Sequence, residues 1–272
     1  MSRIQNILDK AERDGVLHHV RPFPETATAV DDRPPAYVPP EALGGAGVAS
    51  PSQPARPART VSGARMHPRL LKATEEGGVA AEQYRALRTR ILHADAGGAV
   101  TVVLATSPGR GEGRSLTVAN LGLAMAQERQ RRICVVDADL RHPKQSQLFG
   151  VAAAPGLADV LSGDAALADA LVAIEEQWIT LLPAGTASGH PAELLGTTAM
   201  RRTIDALRSQ FDCVLIDTPA AMPLADVGIL TPLVDSVLLV VRAGVTSKPA
   251  IHDAIASIQD AKLLGIVLNE AA

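Results

Sequence analysis

Short apolar runs alternate with helical segments along the chain from about residue 80 to its end. The apolar runs are Val100–Ala105, Ile133–Val136, Ile179–Leu182, Cys213–Ile216, Val237–Val241 and Leu264–Leu268. The segments with helical character between them are Leu116–Arg129, Leu157–Leu161, Met200–Ser209 and Ala250–Ala261. Strands that are apolar on both sides are buried on both faces, as in a parallel sheet covered by helices. The alternation therefore predicts a doubly wound, mostly parallel α/β domain, whose ligands bind at the carboxyl ends of the strands.

A glycine-rich stretch, TSPGRGEGRSLT, lies between the first apolar run and the first long helical segment. A P-loop has this position between strand and helix and ends in Gly-Lys-Ser/Thr, whereas this stretch has Gly113-Arg114-Ser115. Its glycines let backbone N–H groups surround phosphate oxygens, and the following helix N-terminus adds the positive end of a dipole. A tight turn before a helix would explain the glycines but not Ser115. We therefore predict a nucleotide phosphate site formed by Gly109, Gly111, Glu112, Gly113, Arg114, Ser115 and Leu116.

Carboxylates follow two other apolar runs. Asp137 and Asp139 lie near the end of ICVVDADLR, and Asp217 ends CVLID. The carboxyl ends of parallel strands meet at one edge of a sheet, and carboxylates buried there are costly unless they bind something. Because hard cations prefer oxygen ligands, we predict Mg²⁺ bound by Ser115, Asp137 and Asp217. Asp139 is then a candidate general base. Either acidic site alone is also consistent with a helix cap or a turn.

The segment that precedes this domain is rich in proline. Nine of the 19 prolines fall between Pro22 and Pro57, in a segment too poor in apolar residues to offset the entropy of ordering. Residues 21–70 are therefore predicted to be a disordered linker, and residues 71–272 the folded domain. Within residues 1–20, Ile4, Ile7 and Leu8 lie at helical spacing, which predicts a short amphipathic helix. Such a helix either docks on a partner or frays in isolation.

Charge and hydropathy exclude some classes of partner. Lys plus Arg total 26 against 29 Asp plus Glu, so the balance gives no argument for nucleic acid binding. The sequence has no apolar stretch near the roughly 18 to 20 residues of a membrane span and no apolar core of a signal peptide. Cys134 and Cys213 lie inside apolar runs and are expected to be buried thiols in a reducing compartment. We therefore expect a cytoplasmic protein whose link to a membrane comes through a partner.

The motifs together resemble those of the bacterial tyrosine kinases of capsule and exopolysaccharide assembly. The resemblance covers about Glu82 to Asn269. TSPGRGEGRS is similar to the Walker A loop of that family, VVDADLRHP to its Walker A′ motif and VLIDTP to its Walker B motif. The blocks PAGTASGHPAELL, VLLVVRAGVT and GIVLN also resemble the family pattern. The resemblance implies ATP and Mg²⁺ as cofactors, with catalytic roles for Arg114, Asp137, Asp139 and Asp217.

The resemblance also implies partners. EQYRALR matches the family's Glu-x-x-Arg-x-x-Arg motif through Glu82, Arg85 and Arg88, which links subunits into a homo-oligomeric ring. Taken alone, these residues would be a solvated helical face with weak ion pairing. The family's partner is a membrane-embedded chain-length-determinant copolymerase, so the expected location is peripheral to the inner membrane. Arg242 and Asn269 follow strand ends and are expected to reach the nucleotide; for Asn269, either the adenine edge or loop capping explains its position.

The sequence departs from the family pattern in two places. Arginine replaces lysine at Arg114, and a guanidinium is longer and flatter than an ammonium, so turnover should suffer more than nucleotide capture. The tyrosines of the sequence are Tyr37 and Tyr84, so we do not expect the tyrosine-rich tail that autophosphorylating members use as a substrate. The first hypothesis is an ATP-binding, tyrosine-kinase-like subunit of weakened activity, and the second is a non-catalytic, nucleotide-dependent regulator of the copolymerase. A partition or division-site ATPase is disfavoured, because its additional signature lysine is replaced by Gly109.

Overall fold

The computed structural model describes residues 57, 59–61, 66–71, 78–94, 102–128, 131–186, 189–223, 225–258 and 261–269. The chain divides into two units, Met1–Ala49 and Ser50–Ala272, and all described residues belong to the second. The predicted docking helix within residues 1–20 lies outside the described residues, as does most of the predicted linker. Within the part that is described, no helix is both long enough and apolar enough to cross a membrane.

Eight strands form one sheet in the order β1-β4-β5-β3-β6-β2-β7-β8. The strands are β1 (Arg59–Val61), β2 (Val102–Thr106), β3 (Ile133–Asp137), β4 (Val172–Ile174), β5 (Ile179–Leu182), β6 (Cys213–Asp217), β7 (Ser236–Arg242) and β8 (Leu263–Asn269). All neighbouring pairs are parallel except β4 and β5. The six apolar runs identified in the sequence form β5, β3, β6, β2, β7 and β8, which are neighbours in the sheet and run parallel to one another. This arrangement confirms the predicted α/β fold.

Helices connect these strands. They are α1 (Pro68–Leu71), α2 (Val79–Ala94), α3 (Arg114–Ala126), α4 (Gln145–Phe149), α5 (Leu157–Ser162), α6 (Leu167–Ala170), α7 (Pro191–Leu195), α8 (Thr198–Gln210), α9 (Asp226–Leu230) and α10 (Lys248–Ser257). The predicted helices at Met200–Ser209 and Ala250–Ala261 begin earlier in the structure. In each case a side-chain cap sets the start: the hydroxyls of Thr197 and Ser247 accept hydrogen bonds from the backbone N–H groups of Met200 and Ala250.

Successive residues of the parallel strands enter different cores. One core joins the sheet to α5 and α8, through residues that include Leu104, Val136, Ile216, Ile204 and Leu207. The other joins the opposite face to α2 and α3, through residues that include Val103, Val135, Leu215, Leu121 and Ile91. Burying an aliphatic side chain of this size contributes about 1.5–3 kcal/mol, so both faces stabilise the sheet. This two-sided burial is the physical reason for the continuous apolar runs of β2, β3, β5, β6 and β7, whereas β8 at the sheet edge leaves Ile266 and Leu268 exposed.

The sheet extends beyond the six predicted strands through β4 and β1. β4 pairs antiparallel with β5, and β1 pairs parallel with β4. The guanidinium of Arg59 anchors β1 by donating to the carbonyl oxygen of Pro155 at 3.1 Å. β1 and α1 lie within the range predicted as linker, so the prediction that the linker extends to residue 70 is wrong at its C-terminal end. Strands of three residues are too short for hydrophobic periodicity to reveal them.

Candidate nucleotide site

Three neighbouring parallel strands, β3, β6 and β2, place the predicted motifs at one edge of the sheet. Asp137 of β3 and Asp217 of β6 are register partners, and both side chains are fully buried. The backbone N–H of Ala138 donates to the carbonyl oxygen of Asp217 at 2.8 Å, which joins the loop after β3 to the end of β6. The glycine-rich loop leaves β2 at the same edge and continues into α3. The structure therefore brings the predicted loop and acidic residues together.

The glycine-rich loop depends on two residues in the left-handed conformation. Gly111 has φ of 79° and Gly113 has φ of 83°, a region that residues with a side chain rarely adopt. A Cβ at Gly113 would lie 2.0 Å from Nδ2 of Asn269. Both conformation and space therefore require glycine immediately before α3.

Residues at the ends of β7 and β8 hold this loop. The side-chain amide of Asn269 donates to the carbonyl oxygen of Glu112 at 2.9 Å. The Glu112 carboxylate in turn accepts hydrogen bonds from the backbone N–H of Arg242 at 2.8 Å and from the hydroxyl of Thr246. Of the two explanations for Asn269, the structure therefore supports loop capping. Arg242 contacts the loop through its backbone, and its predicted contact with nucleotide stays a prediction.

Arg114 points toward the strand-end carboxylates. Its Nε donates to Asp217 Oδ1 at 2.9 Å, its Nη2 donates to Asp139 Oδ2 at 2.9 Å, and its Nη1 donates to the hydroxyl of Ser107 at 3.0 Å. The Arg114 side chain is only 10% exposed. The sequence-based expectation was that this guanidinium acts on phosphate. In the structure its hydrogen bonds join the glycine-rich loop to the carboxylates at the ends of β6 and β3, because the long planar fork reaches two carboxylates at once, and its contact with phosphate stays a prediction.

Asp137 is held by the backbone that follows it. One oxygen accepts from the N–H groups of Lys144 and Gln145 at 2.9 and 2.8 Å, and the other accepts from the N–H of Asp139 at 3.3 Å. Burial, and then the charge of Asp217, raises the pKa of the Asp137 carboxyl to about 8, while the N–H groups of Gln145 and Lys144 act in the opposite direction. In this arrangement Asp137 organises the loop between β3 and α4.

Gln145 is a site residue that the sequence reasoning missed. Its side-chain N–H₂ group donates to Asp217 Oδ2 at 2.7 Å and to the carbonyl oxygen of Ser115 at 3.0 Å. Its Oε1 is buried without a hydrogen-bond partner. Gln145 therefore joins the start of α3 to the end of β6. No spacing rule points to it, and the only signal in the sequence was its position shortly after the VVDADLRHP motif.

Arg141, within that motif, forms a further structural contact. Its guanidinium makes a bidentate pair with the buried carboxylate of Asp226 at the start of α9, at 2.7 and 3.1 Å. The hydrogen bond to the Asp226 carboxylate raises the pKa of the Arg141 guanidinium above its ordinary value. This pair fixes the loop after β3 against α9, so it supports the position of Asp139.

In this arrangement both aspartates among the predicted magnesium ligands are already hydrogen-bonded to protein groups. Both oxygens of Asp217 are engaged, by Arg114 and Gln145, and both oxygens of Asp137 are engaged by backbone N–H groups. Asp139 is likewise bound at both oxygens, by Arg114 and by the backbone N–H of His142. Across the described ranges, no group of three or more His, Cys, Asp or Glu side chains is arranged to hold a metal ion. A cation bound to Asp217 or Asp139 would therefore share their oxygens with these donors and lie close to the guanidinium, whose like charge opposes it.

A cavity of about 530 Å³ opens beside the loop. The loop from Arg110 to Leu116 forms one wall, and Asp139, Arg141 and the segment from Pro219 to Pro223 form others. Its size falls within the usual range for small-molecule sites. Four basic side chains also border it, and they are Arg110, Arg114, Arg141 and Lys144. The cavity therefore combines backbone N–H groups, a helix N-terminus and positive charge, a setting that suits an anionic ligand.

The predicted oligomerisation residues lie on α2. Arg85 pairs with Glu82 within the helix; the Glu82 side chain is exposed and the Arg85 side chain is partly exposed. Arg88 instead packs inward: its Nη1 donates to the carbonyl oxygen of Ala124 at 2.8 Å, and its Nε lies 3.2 Å from Glu128. Nearby, the Tyr84 hydroxyl accepts a hydrogen bond from Asn120 at 3.4 Å. Arg88 therefore holds α2 against the C-terminal end of α3, while Glu82 and Arg85 remain at the surface.

The fold and this site together define a P-loop nucleotide-binding α/β domain. Residues 101–266 match the family described as AAA domain, which covers more than half of the chain. Tyrosine-protein kinase YwqD of Bacillus subtilis (strain 168) is 33% identical over 210 residues, covering 76% of this chain and 88% of YwqD. The chain therefore belongs to the family of tyrosine-protein kinases that includes YwqD, which confirms the resemblance found in the sequence.

Further similarities fit this assignment. The succinoglycan biosynthesis transport protein ExoP of Rhizobium meliloti (strain 1021) is 32% identical over 195 residues, which cover 70% of this chain but 25% of ExoP. The solved BceF tyrosine kinase domain has a TM-score of 0.67 and 30% identity, covering 75% of this chain and 82% of that one. The septum site-determining protein MinD of Pyrococcus horikoshii OT3 was solved with Mg-ADP. Its structure has a TM-score of 0.53 and 25% identity, and the match covers 62% of this chain and 70% of that one.

Proposed function

We propose that this chain is the nucleotide-binding, tyrosine-kinase-like subunit of a system that assembles or exports an exopolysaccharide. The observation that carries the proposal is the meeting of the Gly111–Ser115 loop, Asp139 and the N-terminus of α3 around one cavity. Those groups suit the phosphates of ATP or ADP. The names of YwqD and ExoP support the tyrosine-kinase and polysaccharide parts of the proposal.

A non-catalytic regulator is the second candidate function, because one observation favours it. The guanidinium that replaces the Walker A lysine is hydrogen-bonded to Asp217 and Asp139, both of which the catalytic hypothesis needs. In this alternative, nucleotide binding would set the assembly state of the chain on its membrane partner. Both candidates require the same phosphate site, so nucleotide binding is tested first.

Isothermal titration calorimetry of the full-length chain with ADP tests that site. We expect binding by the wild type and a loss of at least about tenfold in affinity in Gly113→Ala, a difference of about 1.4 kcal/mol. The added Cβ would occupy a strained left-handed conformation and would lie 2.0 Å from Nδ2 of Asn269, so either the loop shifts or Asn269 gives up its hydrogen bond to the loop.

Gly228→Ala is the matched control for this substitution. Gly228 lies in α9 outside the cavity lining, and a Cβ there would meet nothing within 4 Å. We expect Gly228→Ala to bind ADP as the wild type does, and circular dichroism checks that both variants are folded. Absence of binding heat in the wild type would contradict the nucleotide site, and equal affinity in the two variants would contradict the role given to the loop.

We further propose that the chain forms homo-oligomeric rings through α2 and docks on a membrane-embedded copolymerase, which places it at the inner membrane. The exposed Glu82–Arg85 pair supports the ring, because each partner is accessible for exchange with a neighbouring subunit. Arg88 contributes to this surface only in part, since it is also bound to Ala124 and Glu128 of its own chain. The copolymerase is inferred from the family and from the polysaccharide transport named for ExoP.

A double substitution, Glu82→Ala with Arg85→Ala, should convert the oligomer to monomers in light scattering with ADP present. Arg88 is left intact, because its loss would also weaken the packing of α2 on α3. Arg90→Ala, an exposed position on the same helix, is the control and should leave the size distribution unchanged. A monomeric wild type, or a double variant of wild-type size, would contradict the role in oligomerisation. Glu82 and Arg85 would then be an ordinary ion pair on a solvated helix face.

A further inference from the structure

The strand-end carboxylates already have a counter-charge within the chain. Asp217 is fully buried and Asp139 is 7% exposed at its side chain, so neither is solvated enough to remain charged without a partner. The guanidinium of Arg114 donates to both at 2.9 Å. Because an arginine side chain stays protonated at all accessible pH values, this positive charge is permanent. The two carboxylates therefore share one positive charge that belongs to the chain itself.

The remaining oxygens of these carboxylates are satisfied as well. Asp217 Oδ2 accepts from the Gln145 side chain at 2.7 Å, and Asp139 Oδ1 accepts from the backbone N–H of His142 at 2.9 Å. A magnesium ion demands near-ideal octahedral oxygen ligands at short distance. To gain Asp217 as a ligand, it would have to share a carboxylate oxygen with Arg114 or Gln145 and lie beside the buried positive charge of Arg114, which is costly.

The phosphate-binding groups do not depend on those carboxylates. The backbone N–H groups of the loop and the N-terminus of α3 belong to the peptide itself, and the loop is held by Glu112 and Asn269 on its other side. A guanidinium has five N–H bonds, and the hydrogen bonds to Asp217, Asp139 and Ser107 use three of them. Two N–H bonds therefore remain, and their positive charge neighbours the cavity that Arg114 helps to line.

We propose that Arg114 takes the place of the divalent cation in this site, so that nucleotide phosphates bind here without magnesium. The proposal rests on the proposed nucleotide site and adds that its cation is built into the chain. A lysine at this position has a single compact ammonium and no fork, so it would not hold two carboxylates in the same way. The affinity for ADP should therefore depend on magnesium in an Arg114→Lys variant but not in the wild type.

Calorimetric titration of the full-length chain with ADP, once in excess magnesium and once in excess EDTA, tests the proposal. For the wild type we expect the two dissociation constants to agree within about threefold. For Arg114→Lys we expect ADP to bind at least about tenfold more weakly in EDTA than in magnesium. Arg132→Lys, at an exposed ion pair with Asp212, is the control and should show the wild-type ratio.

The outcomes distinguish a failure of the built-in cation from a failure of the nucleotide site. Wild-type binding in magnesium but not in EDTA would overturn the built-in cation and leave the nucleotide site standing. Absence of binding in both media would overturn the nucleotide site itself, and the inference with it. The wild-type ratio decides the inference even if Arg114→Lys does not fold, which a circular dichroism melt of that variant establishes.

Discussion

Replacing Arg114 by methionine should lower the free energy of unfolding by about 3–5 kcal/mol, the usual cost of removing one partner from a buried ion pair. Methionine keeps much of the apolar stem but leaves the buried carboxylates of Asp217 and Asp139 without a positive charge. Urea unfolding of the full-length chain, followed by circular dichroism, measures the effect. This substitution acts on two carboxylates at once, so it should be among the most destabilising single changes in the site.

The chain offers a matched surface pair as the control. Arg132 and Asp212 also form a guanidinium–carboxylate pair, at 2.8 Å, but the Arg132 side chain is 62% exposed. Arg132→Met should therefore cost no more than about 1 kcal/mol, as solvent-exposed pairs do. Adding Asp217→Asn to Arg114→Met should recover part of the lost stability, because it removes one of the uncompensated charges. Equal costs for Arg114→Met and Arg132→Met would contradict the buried network.

Replacing Arg114 by lysine should raise the rate of ATP hydrolysis at least about tenfold, with a smaller change in ADP affinity measured in magnesium. In the wild type the guanidinium is held by Asp217 and Asp139, so it stabilises the charge that develops on the transferred phosphoryl group less than a movable ammonium would. A lysine ammonium lacks the fork that spans both carboxylates and is free to approach the phosphates. A phosphate-release assay under saturating ATP measures the change.

Arg132→Lys serves as the control for this assay and should hydrolyse ATP at the wild-type rate, since Arg132 lies at the protein surface. If Arg114→Lys stays at background, the defect lies elsewhere and the non-catalytic regulator becomes the better description. If the wild type already matches the lysine variant, arginine is an adequate substitute, and the explanation of weakened turnover is wrong.

The fold was predictable where the sequence carries a long apolar signal. Five of the six parallel strands, β2, β3, β5, β6 and β7, are buried on both faces, so each appears as a continuous apolar run. The sixth, β8, lies at the sheet edge and is apolar although Ile266 and Leu268 are exposed. The strands β1 and β4 have three residues each and depend on pairing with distant partners, as Thr60 pairs with Ala173. Nothing local marks such strands, which is why the predicted linker extended too far.

The site was predictable in its placement but not in its internal contacts. Parallel strands end at one edge, so the approach of Asp137 and Asp217 followed from topology alone. The hydrogen-bond partners of Arg114 could not be predicted in the same way. They depend on the three-dimensional distances from the guanidinium to Asp217 and Asp139, which the sequence does not give. Gln145 was missed for the same reason, since its contact with Asp217 joins positions far apart in the sequence.

A crystal structure of the full-length chain with ADP tests the central claim most directly, because it locates the phosphates and the guanidinium together. We predict the β-phosphate on the backbone N–H groups between Gly111 and Ser115, with Arg114 still within hydrogen-bond distance of Asp217 and Asp139. A nucleotide bound away from this loop would contradict the site. A guanidinium transferred to the phosphate, with a metal ion on the freed carboxylates, would contradict the role assigned to Arg114.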